Sequence, residues 1–193
     1  MAMIVRSPWS LKERFKIILW QFSWTCFCAW TPKPLNRWRL LWLELFGANV
    51  HGIPFVHQRA RVQIPWHVTF HDKCCVGDRS NIYSLGLIDI GEGAVVAQEA
   101  YLCTGSHLFD TVGLPLEVKN ITIKRNAFIG ARAFLLPGVT IGEFAIVGAC
   151  SVVTRDIEAL SINAGNPCKR IGWRPRGPQV QNGAGDLTPE KWT

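Results

Sequence analysis

The seven cysteines include no CxxC pair. The scatter of Cys26, Cys28, Cys74, Cys75, Cys103, Cys150 and Cys168 fits neither a zinc ribbon nor a dithiol redox motif. No signal-peptide pattern is present, so the thiols are expected to be reduced, small hydrophobes of a cytoplasmic protein. Long apolar runs are also missing. The uncharged stretch 17–32 is sixteen residues and includes Gln21, Ser23 and Thr25, short of the roughly 20 apolar residues a membrane span needs. Acids are scarce: 14 Asp and Glu stand against 21 Lys and Arg, for a net charge of +7. No helix-turn-helix, zinc finger or aromatic RNA-binding signature accompanies that excess, so phosphate-bearing small ligands or an anionic membrane surface are expected, and nucleic acid is not. With only 18% charged and 48% hydrophobic residues, the chain has material for a sizeable core.

The charge is unevenly placed. The first 49 residues hold seven Lys or Arg against Glu13 and Glu44, with six of the nine Trp. Ser10-Leu-Lys-Glu13 has the form of a capping box and opens a helix whose run to Trp30 is apolar on most sides. Pro34 suits the first turn of a second helix, in which Leu35, Trp38, Trp42, Leu45 and Phe46 fall at helical spacing before Gly47 stops it. These helices, within 1–49, either pack on the rest of the molecule or on a neighbour, or rest in a headgroup layer through residues 10–46 at the inner face of the membrane. A second cluster, Lys169, Arg170, Arg174 and Arg176, contains no acid, and a tail over 173–193, rich in Gly and Pro, is expected to be flexible.

Between these ends an aliphatic residue returns every six positions, at Ile123, Ile129, Leu135, Ile141, Val147 and Val153. The fourth position after each is Ala127, Ala133, Val139, Ala145, Ser151 and Ile157. The register extends upstream through Ile64, Phe70, Val76 and Ile82 and, after a two-residue slip in 82–89, through Ile90, Val96 and Leu102. A period of six is neither helix nor hairpin; it predicts an all-β solenoid wound as a three-sided prism over 50–172. The hexads fail completely over 108–122, and a long break in a solenoid marks a surface loop on a binding face.

His107 stands just before that loop. Histidine is the residue type best suited to general acid-base work, so it is a candidate to take and return a proton. His67 and His71 are four apart, a ligand spacing for a helix but not for a period of six, and no metal is expected.

Together the hexads, Thr104-Gly-Ser-His107, Leu136-Pro-Gly-Val-Thr-Ile-Gly142, Val147-Gly-Ala-Cys-Ser-Val-Val-Thr-Arg-Asp156 and Ala164-Gly-Asn-Pro-Cys-Lys-Arg170 resemble the hexapeptide-repeat acyltransferases. Within that superfamily the Trp-rich basic N-terminus, Leu45-Phe-Gly-Ala48, Ile64-Pro-Trp66 and the segment at Tyr83 and Ser84 are most similar to the colanic acid biosynthesis acetyltransferases. The resemblance spans about residues 8–174. It implies a left-handed parallel β-helix, a homotrimer with active sites between prisms, and acetyl-CoA as the acyl donor. It also implies transfer to a sugar hydroxyl of an exopolysaccharide precursor, with N-acetylation of an amino sugar or a non-catalytic scaffold as alternatives. By position it makes His107 the general base and places the acceptor at Tyr83, Ser84 and Asp110. Phe128, Ala131, Ala149, Thr154, Arg155, Lys169 and Arg170 would line the CoA groove. His51 and His71 depart from a pattern that often has Gly there, as do Cys150 and Cys168 from one that has Gly, Arg or Ala.

Overall fold

The structure, a computed structural model, describes residues 10–174. Short parallel strands coil into three flat sheets, one per side of a prism. The first sheet stacks Asn49–Val50, Val68–Phe70, Ile88–Ile90, Ile121–Ile123 and Thr140–Ile141. The second stacks Phe55–Val56, Cys75–Val76, Val95–Val96, Phe128–Ile129, Ile146–Val147 and Ser161–Ala164. The third stacks Arg61–Val62, Asn81–Tyr83, Tyr101–Cys103, Phe134–Leu135 and Val152–Val153. The chain visits the faces in this order, coil after coil, as the six-residue period requires.

Each hexad supplies one inward aliphatic, and all six from Ile123 to Val153 are fully buried, as are the small residues Ala127, Ala133, Ala145 and Ser151 at the corners. The residue before a corner is turned left-handed: Lys73, Arg79, Glu99, Asn126, Arg132, Phe144 and Cys150 have φ of 54 to 60°. Each such turn costs an L-residue roughly 1–2 kcal/mol, which burial of the neighbouring aliphatic offsets. Just past an inward aliphatic the coils nearly touch. A Cβ on Gly130 would lie 2.5 Å from the Ala149 backbone nitrogen of the next coil, so only glycine fits there. His51 and His71 do not disturb the first coils: their rings stack at 5.1 Å, and Val50, Phe70 and Ile90 remain in register.

Coil length varies, and always at the same corner. Val56 pairs with Val76 and Val76 with Val96, twenty residues per coil; Val96 pairs with Ile129, thirty-three residues on; Ile129 pairs with Val147, eighteen on. The surplus enters between the third and first faces. This corrects one detail of the periodicity: Val62, not Ile64, is the in-register residue, pairing with Ile82, and the slip at 82–89 also occurs over 62–70. Ile64, Ser84 and Thr104 are extra inward residues at the widened corner, all fully buried.

Both open ends of the solenoid are closed. Helix α1 (Leu11–Phe27) begins at the Ser10 capping box, and α2 (Asn36–Leu45) follows a single turn, Lys33–Leu35, and stops before Gly47 at φ 90°. Trp20 Nε1 donates to Val62 O at 2.7 Å, Arg39 Nε to Val56 O at 2.8 Å, and Asn36 Nδ2 to Pro54 O at 2.7 Å. The first strands of the second and third sheets, whose edges would otherwise invite pairing, are thereby covered. At the other end Lys169–Trp173 folds back antiparallel on Ser161–Ala164, and the Arg174 backbone N–H donates to Leu160 O. Trp173 and Arg174 thus belong to this closing turn; the rest of the expected tail, with Arg176, lies outside the described residues. Among those residues no helix is long and apolar enough to cross a membrane.

Candidate active site

The break at 108–122 is an arm. Gly105–His107 pairs antiparallel with Leu116–Val118, with His107 opposite Leu116, and the tip turns through Gly113 and Leu114, both at positive φ. That turn aims the Leu114 carbonyl at His107 Nδ1, 2.6 Å away. A carbonyl only accepts, so Nδ1 carries the hydrogen, and in the neutral ring Nε2 is left with a free lone pair. His107 is exposed, so a hydroxyl can reach that nitrogen. Leu114 was invisible to sequence reasoning because it acts through its backbone.

The expected acceptor residues part company. Tyr83 lies at the root of the arm, its Cε1 3.4 Å from where a Gly105 side chain would begin. Asp110 is exposed on the arm and accepts from Thr111 Oγ1 at 3.2 Å. Ser84 points into the prism. Its hydroxyl accepts from the Ile64 N–H and donates to Ile64 O, both at 2.9 Å, and the side chain is fully buried, so it is closed to a ligand. Thr104 does the same one coil on, donating to Tyr83 O at 2.7 Å and accepting from the Gly86 N–H at 2.9 Å. These hydroxyls satisfy backbone groups that the widened corner strands.

The expected CoA residues are divided between two edges of the prism, with Phe128 on the flat second face. Ala131 and Ala149 stack at the edge between the second and third faces, where the Cys150 N–H donates to Ala131 O at 2.9 Å. Phe128 faces outward on the second sheet between Val95 and Ile146, beside a cavity of about 370 Å³ that Arg174 also lines. Thr154 and Arg155 lie at the third–first edge, which also carries the arm, two coils or about 10 Å further along. Arg155 and Arg170 share a cavity of about 190 Å³ with Cys168. Arg170 is held by Glu158 at 2.5 Å and lies over Trp173, whereas Arg155 and Lys169 have no side-chain partner among the described residues.

Several other reactive groups are accounted for by packing, while Cys26 and Cys150 are exposed. Burial pushes the Cys28 and Cys74 thiols up to about 12, far from a thiolate nucleophile at neutral pH. His71 Nε2 lies 3.1 Å from Asp89, and His67 Nδ1 3.0 Å from Ser84 O, so each imidazole has its own partner. Among the described residues no group of three His, Cys, Asp or Glu side chains could hold a metal.

Solved structures share this architecture. A hexapeptide-repeat acetyltransferase of Vibrio cholerae O1 biovar eltor, in complex with acetyl coenzyme A, superposes with a TM-score of 0.78 at 20% identity, covering 88% of this chain and 93% of that one. A galactoside acetyltransferase in complex with coenzyme A gives 0.74 at 22% identity, covering 87% and 85%. The molecule is therefore a left-handed parallel β-helix with an N-terminal helical appendage. A family model described as bacterial transferase hexapeptide (six repeats) matches residues 120–155. Over 152 residues the chain is 37% identical to the putative colanic acid biosynthesis acetyltransferase WcaF of Escherichia coli (strain K12), across 79% of this chain and 84% of that protein. The chain belongs to the hexapeptide-repeat acetyltransferases.

Proposed function

We propose that the protein transfers the acetyl group of acetyl-CoA to a hydroxyl of a sugar, as a step in building an exopolysaccharide. The observation that carries this reading is the fixed His107 tautomer. Nε2 takes the proton of the acceptor hydroxyl while its oxygen attacks the thioester carbonyl. The tetrahedral intermediate expels the thiolate, and the proton passes to the sulfur or to solvent. Arg155 and Lys169, cations without side-chain partners among the described residues, suit the phosphates of CoA. The sugar rests on likeness: one relative is named for colanic acid biosynthesis, and fold neighbours include a maltose O-acetyltransferase of Clostridium difficile 630 and a galactoside acetyltransferase. A fold neighbour that is an N-acyltransferase from Bacillus cereus, solved as a mutant with dTDP-4-amino-4,6-dideoxyglucose and coenzyme A (TM-score 0.56 at 20% identity), keeps amino sugars as the second acceptor class. His107→Ala is expected to lower acetyl-CoA turnover about 10²–10⁴-fold with thermal unfolding unchanged. Undiminished transfer by this variant, read as the mass gained by a sugar acceptor, overturns the assignment.

The site is completed by a second copy in this reading. Ala131 and Ala149 on one edge cannot reach His107 on another across the third face of the same prism. Joining the second–third edge of one copy to the third–first edge of the next makes a head-to-tail contact, which closes as a ring, here of three.

The helices give the enzyme a seat at a membrane surface. Trp20 and Trp24 face the prism, while Leu11, Phe15, Ile18 and Phe22, spaced four, three and four, form an opposite stripe left 63 to 81% exposed. Lys12 and Arg14 are exposed on the same helix and Lys33 and Arg37 on the turn and helix that follow, a combination suited to anionic headgroups, while Lys16 lies over the Trp66 ring. The protein should sediment with vesicles containing phosphatidylglycerol, less with pure phosphatidylcholine, and Phe15→Glu with Ile18→Glu should abolish the difference. Wild-type protein that stays in the supernatant with both vesicles removes this reading.

A further inference from the structure

The third face carries a ladder of outward side chains, one per coil: Arg61, Asn81, Tyr101, Phe134 and Val152. Its rungs are spaced by the strand separation of about 4.8 Å. Alongside the first rungs runs α1, and the crevice between them holds a cavity of about 550 Å³, walled by Trp24 and Thr25 of the helix and by Arg61, Asn81 and Tyr101 of the ladder. An adjoining cavity of about 330 Å³ shares Trp24, Thr25 and Arg61 and extends to Gln63. These volumes lie in the range of small-ligand sites, and none of these residues has a part in the reading of His107 or the CoA groove.

The lining has the chemistry of a carbohydrate site with a negative charge. Aromatic rings offer flat apolar surface to the C–H faces of a pyranose, and the Asn81 and Gln63 amides offer donor and acceptor together for hydroxyls. Three guanidinium groups and one carboxylate, Glu99, border the cavity, and Glu99 is itself paired with Arg132 at 2.6 Å. Arg59 is held by Asp78 at 2.5 Å and Arg79 lies 3.7 Å from Glu99, whereas Arg61 has no side-chain hydrogen bond or ion pair among the described residues. Gln58, also in the lining, has a buried Oε1 without a hydrogen-bond partner among the described residues. Arg61 is therefore the cation available to an anionic group, which a guanidinium binds through two parallel N–H bonds.

The ladder leads to the arm. The Tyr101 ring is 6.1 Å from that of Tyr83, and Tyr83 borders Gly105, two residues or about 7 Å along the strand from His107. We propose that this crevice binds a second, anionic sugar unit of the same acceptor, so that the substrate is an acidic oligosaccharide segment with its carboxylate or phosphate on Arg61. The proposal rests on the reading of His107 as the acetylating group.

Four acceptors test it with the wild type, Arg61→Ala and Thr25→Trp, the last filling the crevice from the helix side. They are a neutral monosaccharide, a neutral trisaccharide, the same trisaccharide with one hexuronic acid, and the same with one hexose 6-phosphate. The wild type should favour a charged trisaccharide, and the better of the two identifies the anion. Arg61→Ala should raise KM for that acceptor about tenfold or more while leaving kcat/KM for the monosaccharide and KM for acetyl-CoA unchanged. Thr25→Trp should impair all trisaccharides and spare the monosaccharide. Equal effects on every acceptor, or no preference for length and charge, overturn the proposal. If the wild type acetylates no sugar, the enzymatic reading fails on its own, and calorimetric titration with the two charged trisaccharides then decides the crevice: binding lost in Arg61→Ala upholds an anionic sugar site, and no binding by the wild type overturns it.

Discussion

His57 shows how a single proton bears on this fold. The side chain is nearly buried, and burial is the main influence holding its pKa below the usual histidine value, against the attraction of Asp78. In the neutral ring Nδ1 accepts from the Arg59 N–H at 3.3 Å, and Asp78 Oδ1, 3.1 Å away, is left without a hydrogen. The unfolded chain binds the proton more tightly than the folded one, so stability is full above about pH 6.5 and declines as pH falls below it. Asp72 and Glu99 are held below their usual values by a backbone hydrogen bond from Ile53 and by Arg132, and act in the same sense only at more acid pH. Melting temperature should drop between pH 7.5 and 5.5, and less so in His57→Gln; equal drops would assign the loss elsewhere. At this scale the sequence was partly legible. Ala127, Ala133, Ala145 and Ser151 announced two of the corners, where only small side chains stand, while Val139 and Ile157 take the same hexad position at the third corner, between the third and first faces. Ser84 was misleading because the partners that claim its hydroxyl are backbone atoms twenty residues away.

Between α2 and the prism, Arg39 is a tether. Its guanidinium is fully buried and donates to Val56 O, Pro32 O, Lys33 O and the Thr31 hydroxyl, joining the inter-helix turn to the first strand of the second sheet. Arg39→Leu keeps much of the volume and leaves those carbonyls unpaired, so unfolding free energy from urea titration should fall by about 3 kcal/mol. A change under about 1 kcal/mol would mean that water replaces the donor at little cost. The helices themselves were legible from the Ser10 and Glu13 capping pair and from Gly47, but their docking was not. An arginine between Trp38 and Leu40 has nothing in its neighbours to say that it points inward. The arm had the same ambiguity: loss of the hexads located it, while its antiparallel pairing depends on Thr104 and Lys119 meeting at its base, where the Lys119 N–H donates to Thr104 O at 2.9 Å.

For the molecule as a whole, the division of the residues proposed for CoA between two edges makes assembly testable. Light scattering should report about three times the 21.7 kDa of the chain. The arm exposes Phe109 and Val112 at 82% and 94%, too apolar to remain in water if a neighbour is available. Phe109→Asp with Val112→Asp should shift the mass toward the single chain and remove acetyl transfer together; a full-size assembly with full activity would place the arm elsewhere. The corner that admits every surplus residue has a wider meaning. Two residues, two residues and then the whole arm enter along one seam, while the registers of the other two corners pass by unaltered. Length change is thus confined to a line running down one side of the prism, and the rest of the lattice cannot tell a short turn from a long arm. Such a seam lets an acetyltransferase exchange the part that meets its acceptor without renegotiating a single coil of the part that holds it up.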